Sequence, residues 1–348
     1  MIGRLAYAEG SPCPTLVLDA RYLPREDGPL LDALADARRF MAGAGAGHVL
    51  KIALVEPSSH PLFDLDYRFI QALPDGPAQF DLRGSCGHSI LASIVSAGES
   101  GMLAKLVPGA RVRVDVQNNG DQMVCEVDEV NREQVEFTVH FLHTPPKPVR
   151  DLLIVGEPRT DLLVDGERVE VSLVTAGNPY VFVDARTAGV DGTGELFSDD
   201  PVLFDRLSRI RAAAARRLGW PVDKAFPKVA AVMPTTQGHL AVRAISVPTW
   251  HPTIALTGAA CLGAATAIEG TIPWLAARDA GCVQGLIDID TAGGASAVTA
   301  ATRDDGGARE LAWITVARCR VTFYGSFLVE PLAHLQFKEI AECLSPSG

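Results

Sequence analysis

The chain has 348 residues, of which 47% are apolar and 21% charged, with a formal net charge of −11. That length and mix suit a globular protein of two domains, each able to bury its own core. The acidic balance argues against nucleic acid as a partner, since a phosphate backbone selects basic surface, but it leaves room for a small anion held by a local field.

Met1 to Glu9 shows no apolar core of signal-peptide length, so no secretion signal is expected. Strand-like alternation follows at Leu16-Val-Leu18, Lys51-Ile-Ala-Leu-Val55, Arg111 to Val116 and Gln134 to Leu142, with Asn118-Asn-Gly-Asp121 as a hairpin turn. Helices are predicted at about 29–42 and 88–97. The prolines of Thr144-Pro-Pro-Lys-Pro-Val149 predict a linker, because clustered prolines do not sit in a central strand. The expected domains are therefore 1–148 and 149–348.

The second half opens with a predicted hairpin over Leu162–Val174, turning at Asp165-Gly166. An amphipathic helix is predicted over 200–218, with Leu203, Leu207, Ile210, Ala214 and Leu218 on its apolar face and Arg206, Arg209, Arg216 and Arg217 solvated. The apolar run Ile254–Ile268 reads as a buried helix, too short to span a bilayer of about 30 Å, so no membrane partner is expected. A strand at Arg320-Val-Thr-Phe-Tyr324 and a closing helix over Pro331–Leu344 end the chain, with the C-terminal segment expected to pack back on the first domain. Seven cysteines, odd in number and without a C-x-x-C pair or zinc spacing, fit free thiols in a reducing cytoplasm. The eight histidines form no metal-ligand spacing, so no metal is expected.

The halves repeat one another. Cys13-Pro-Thr-Leu-Val-Leu-Asp-Ala-Arg21 is echoed by Asn178-Pro-Tyr-Val-Phe-Val-Asp-Ala-Arg186, and Lys51-Ile-Ala-Leu-Val-Glu-Pro57 by Lys228-Val-Ala-Ala-Val-Met-Pro234. A third pair sets Cys86-Gly-His-Ser-Ile-Leu-Ala-Ser-Ile94 against Thr257-Gly-Ala-Ala-Cys-Leu-Gly-Ala-Ala265. Units this long mean duplicated domains rather than a solenoid, and a ligand is expected in the cleft between them.

Gly84-Ser-Cys-Gly-His-Ser89 leads straight into an apolar run, which puts Cys86 at the head of a buried helix. Free N–H groups and the helix dipole there lower a thiol's pKa and attract carboxylates. The alternative is a small cysteine that only packs. Lys51 and Lys228 each open a core strand, from which a lysine either reaches the cleft or ends in solvent. Small residues at 258, 259, 260 and 263–265 let the two duplicated helices pack side by side, both heads facing a site suited to a di- or tricarboxylate.

In this order, these blocks together with Gly177-Asn-Pro-Tyr-Val-Phe-Val-Asp184 and Gly192-Thr-Gly-Glu195 resemble the PrpF family, over about residues 10–331. The family includes isomerases of 2-methylaconitate, methylitaconate and oxalomesaconate. The resemblance implies an α+β fold of two pseudo-symmetric diaminopimelate-epimerase-like domains, each a curved, mostly antiparallel sheet around a central helix. It also implies no metal or organic cofactor and places Lys51 and Cys86 where the family carries its proton-transferring pair. The segment that in the family reads Arg-Gly-Gly-Thr-Ser-Lys-Gly is here Glu9-Gly-Ser-Pro-Cys-Pro14, and the family's Cys-Gly-Asn is Cys86-Gly-His88. A different substrate follows, as in a specialised pathway.

The expected activity is a cofactor-independent shift of a carbon–carbon double bond, or a cis–trans isomerisation, in a small unsaturated carboxylate. Lys51 and Cys86 would move the proton; Ser11, Cys13, Ser85, Gly87, His88, Asn178, Thr257, Gly258 and Ala259 would line the substrate site. His88 has three readings: donor to a substrate carboxylate, imidazolium holding Cys86 as thiolate, or a cap on the turn. Rivals are an epimerase pairing Cys86 with Cys13, and a binding paralogue without catalysis. A homodimer is left open.

Overall fold

The structure, a computed structural model, describes residues 1–333 except 83, 225, 236–237, 247–248, 283–284 and 307. The first half runs β1 (Ile2–Ala8), β2 (Thr15–Asp19), α1 (Asp27–Gly43), β3 (Lys51–Pro57), β4 (Leu65–Ala72), β5 (Phe80–Asp81), α2 (Gly87–Glu99), β6 (Arg111–Val116), β7 (Asp121–Val130) and β8 (Gln134–Pro148). The second runs β9 (Thr160–Val164), β10 (Glu167–Ala176), β11 (Asn178–Asp184), α3 (Thr193–Leu196), α4 (Pro201–Leu218), β12 (Lys228–Pro234), β13 (His239–Ser246), β14 (Thr249–Trp250), α5 (Leu256–Thr266), α6 (Ile272–Asp279), β15 (Ile287–Thr291), β16 (Gly294–Asp305) and β17 (Ala308–Leu328).

The pairings repeat element by element. β2 and β3 run parallel and are joined through α1, as β11 and β12 are through α3 and α4, because a parallel pair needs a long crossover. β4 then pairs antiparallel with β3 and parallel with β6, as β13 does with β12 and β15. β6–β7–β8 and β15–β16–β17 are antiparallel meanders. β17 also pairs with β8 and with β1, joining the halves into one sheet system.

Alternation along the strands builds a layer on each side. Leu16, Leu18, Ile52 and Leu54 pack on Leu30, Leu34, Ala37 and Met41, the apolar stripe of α1. Their neighbours Val17, Ala53 and Val55 turn the other way, into a core that holds both α2 and α5. α2 is buried along Gly87–Ala97 and α5 along Leu256–Ala265, which is why neither shows a polar stripe in sequence. α4 covers the outer face of the second half and begins and ends as the sequence indicates. Asp200 caps it by accepting from the Val202 N–H at 2.9 Å, and Gly219 closes it at φ 70°.

The α+β class and the pseudo-symmetric halves are as expected. The hairpin at Asp165-Gly166 is present, with both residues at positive φ. The proline cluster is not a break in the strand: β8 continues to Pro148, which pairs with Glu310. The register against β17 slips between Leu311 and Trp313, so His143 to Pro146 bulge from the ladder and no N–H is required of Pro145 or Pro146. The expected closing helix lies almost wholly outside the described residues. Among the described residues no helix is long and apolar enough to cross a membrane.

Candidate active site

Two helix heads meet near the centre of the molecule. A Cβ on Gly87 would lie 2.6 Å from Leu256 Cδ2, so glycine is what allows the start of α2 to touch the start of α5. Gly258 has the same role within α5, where a Cβ would lie 2.2 Å from the buried Tyr180 hydroxyl. The loop before β2 joins them, since Thr253 Oγ1 donates to the Gly10 carbonyl at 3.2 Å.

Cys86 is the N-cap of α2, half-buried, in extended backbone. The N–H groups of Gly87, His88 and Ser89 have no main-chain partner among the described residues, and the first helical bond is Ile90 N–H to the Cys86 carbonyl, 3.1 Å. The buried Tyr67 hydroxyl also donates to that carbonyl, at 3.2 Å. Burial alone would raise the Cys86 thiol, but the Lys51 charge, together with donors from Ser89 and Lys51, outweighs it and lowers the pKa. Ser89 is itself held by Thr15, Oγ to Oγ1 at 2.9 Å.

Lys51 opens β3 and is buried, 7% exposed. Its Nζ donates to Ser11 Oγ at 2.7 Å, and the Ser11 hydroxyl donates in turn to the Cys13 carbonyl at 2.8 Å. Cys13, half-buried beside them, moves the other way from Cys86: burial raises its pKa, and the Lys51 charge only partly offsets this. Ser85 is half-buried in the loop that delivers Cys86.

The second head differs. Ala255, not Thr257, is the N-cap of α5, so Thr257 sits inside the first turn. The Ala255 carbonyl takes the N–H of both Gly258 (2.7 Å) and Ala259 (2.8 Å). Asn178 Nδ2 donates to Thr257 Oγ1 at 2.8 Å, satisfying the threonine within the protein. Lys228, in register with Tyr180 as Lys51 is with Thr15, lies with its Nζ 5.7 Å from the Phe226 ring centroid. Burial first, then Arg211 and Lys51, bring its pKa down to about 8, with Cys86 pulling the other way.

His88 is buried beside the thiol, and burial followed by the Lys51 charge lowers its pKa to about 3. Burial thus favours its neutral form, and the nearby charge that lowers the Cys86 pKa is that of Lys51. Its ring stacks on His251, centroids 6.0 Å apart and planes 22° from parallel. His251, Ser89 and Tyr67 were absent from the residues singled out in sequence. Ser89 had a readable signal, standing at the third helical position after a cap. His251 had little beyond its place just before the α5 head. Ala259 and His88 also line a small cavity of about 50 Å³ with Thr253, Leu256, Arg318 and Arg320. Among the described residues no group of three His, Cys, Asp or Glu side chains is placed to hold a metal ion.

Known proteins are similar to this chain in sequence and in fold. It is 26% identical over 287 residues to the 3-methylitaconate isomerase of Eubacterium barkeri, covering 71% of this chain and 75% of that protein. It is 28% identical over 280 residues to the (4E)-oxalomesaconate Delta-isomerase of Novosphingobium sp. (strain KA1), covering 75% and 76%. A crystal structure of methylitaconate-delta-isomerase superposes with a TM-score of 0.69 at 23% identity over 95% of this chain and 96% of that one, a likeness of fold that makes the architecture diaminopimelate-epimerase-like. The model of the PrpF protein family matches residues 36–329; the chain belongs to that family, and it is an isomerase.

Proposed function

We propose that the protein moves a carbon–carbon double bond in a small unsaturated carboxylate by a 1,3-proton shift, with Cys86 as base and Lys51 as acid. One observation carries this reading: a thiol with a lowered pKa caps a helix whose first three N–H groups have no main-chain partner, next to a buried lysine. In the forward direction the Cys86 thiolate takes a proton from the allylic carbon. The C–H electron pair becomes a new double bond, and the charge spreads onto the carboxylate as a dienolate. The N–H groups at the head of α2 stabilise that charge. The Lys51 ammonium returns a proton at the far end of the three-carbon unit, and transfer from the Cys86 thiol to the Lys51 amine restores the starting pair. No atom or electron is gained or lost.

The relatives named for methylitaconate and oxalomesaconate make an unsaturated di- or tricarboxylate the natural class. Ser11 and Cys13 stand in a loop with no basic residue between Glu9 and Pro14, which leaves Lys51 and Lys228 as the cations and favours few carboxylates. An epimerase pairing Cys86 with Cys13 is less well supported, because burial raises the Cys13 thiol while the Lys51 charge lowers that of Cys86, so the two are not a matched acid and base. Deuterium labelling in D2O, read by NMR on methylitaconate and oxalomesaconate, tests the reading. Label at both ends of the three-carbon unit is expected; label at one carbon only would make the protein an epimerase.

A further inference from the structure

The Thr253 N–H donates to His251 Nδ1 at 3.2 Å. A ring nitrogen that accepts carries no proton, so the imidazole proton is on Nε2. The ring is 4% exposed, fixed at its own backbone by the N–H bond to the Ala244 carbonyl (2.9 Å) and by stacking on His88. Nε2 has no hydrogen-bond partner among the described residues, yet it is not among the sealed, partnerless buried atoms. Its field comes from several sides of the site: after burial, His88 on α2, Lys51 on β3 and Lys228 on β12 favour the uncharged ring, and the Thr253 backbone pulls weakly the other way. A buried donor with a locked tautomer and an open proton, set among two lysines and a helix head, is an arrangement for receiving negative charge.

We propose that His251, in its Nε2–H tautomer, donates a hydrogen bond to the substrate carboxylate where the dienolate charge develops, and that Thr253 is the positioning residue that sets the tautomer. This rests on the reading of Cys86 and Lys51 as the reacting pair. It gives the second half a direct share in the chemistry, which Thr257 does not supply. Thr253 also ties this donor to the first half through Gly10, so the loop carrying Ser11 and the His251 ring are held as one unit.

Carboxylate-directed alkylation of Cys86 tests the proposal without a known substrate. Iodoacetate, which carries a carboxylate, and iodoacetamide, which does not, are compared by mass spectrometry on the wild type and on His251→Phe and His251→Gln. In the wild type Cys86 reacts faster with iodoacetate relative to iodoacetamide than free cysteine does. His251→Phe, which keeps a ring but no donor, is expected to lower that ratio by about ten- to a hundredfold, the worth of a hydrogen bond to a charged group. The iodoacetamide rate stays unchanged, and His251→Gln keeps much of the ratio. An unchanged ratio in His251→Phe, or an equal fall in both rates, overturns the role of His251 while leaving Cys86 in place. Absence of any preference for iodoacetate in the wild type removes the carboxylate site itself, and both readings fail together. Should His251→Phe not fold, the ¹⁵N spectrum of the wild-type imidazole decides: a proton on Nδ1 overturns the proposal.

Discussion

The heads of α2 and α5 occupy matching places in the repeated topology, yet they carry different chemistry. At α2 three N–H groups lack a main-chain partner, the capping side chain is a thiol, and a buried lysine stands beside it. At α5 the Ala255 carbonyl consumes two N–H groups, the threonine is satisfied by Asn178, and Tyr180 fills the space against Gly258. Duplication supplied two equal frames, of which one carries a thiol beside a buried lysine and the other a threonine held by Asn178.

The sharpest break in that comparison is chemical. Cys86→Ser and Lys51→Ala are each expected to lower turnover by about 10²–10⁴-fold, the usual worth of a positioned acid or base, whereas Thr257→Val should change it by less than about tenfold. Steady-state kinetics on methylitaconate or oxalomesaconate read this, and comparable losses in all three would make the heads equivalent. Next comes packing. Gly258→Ala drives a Cβ onto Tyr180, which is buried and cannot move away, and should destabilise by about 1–3 kcal/mol or more, visible as a lower melting temperature. An unchanged melting temperature would show that the α5 head is not closely packed.

The smallest effect separates the two lysines. Lys228 has a folded pKa of about 8 against an unfolded value of about 10.4. Below pH 8 both states hold the proton and the folded state bears the full cost of the buried charge. Between these values the unfolded chain keeps a proton that the folded one has released, so stability rises with pH. Lys228→Met should therefore stabilise by roughly 1–2 kcal/mol at pH 7, after allowance for its partial exposure, and the gain should fade as pH approaches about 10. Denaturant titrations at pH 7 and pH 10 check this. A destabilised variant at pH 7 would mean that Lys228 has a partner that compensates its charge.

Much of this was legible in the sequence because local patterns carry it. The repeats at Cys13, Lys51 and Cys86 and their echoes mark the two frames, and apolar periodicity marks α1, α2 and α4 to within a few residues. What escaped depended on contacts between distant segments. The prolines at 145, 146 and 148 read as a break because nothing nearby shows that β17 arrives to pair with Pro148. Thr257 read as a helix head because it aligns with Cys86, but Ala255 caps two residues earlier and its carbonyl takes the N–H groups of Gly258 and Ala259. His88 read as a candidate cation, since its sequence neighbours do not reveal that Lys51 and His251 close over it. His251 has no sequence neighbour that explains it; its role depends on the meeting of the two halves.

The pairing of β17 with both β1 and β8 has a consequence for synthesis. β1 finds one of its two partners, β2, within a few residues, but the other leaves the ribosome about 300 residues later. At 5–20 residues per second that is a wait of roughly 15–60 s. Throughout it β1, and from its own emergence β8, present unpaired strand edges, which invite pairing with other nascent chains. The first half thus reaches its final form only after almost the whole polypeptide has emerged, and the seam between the halves is the last region of the sheet to close.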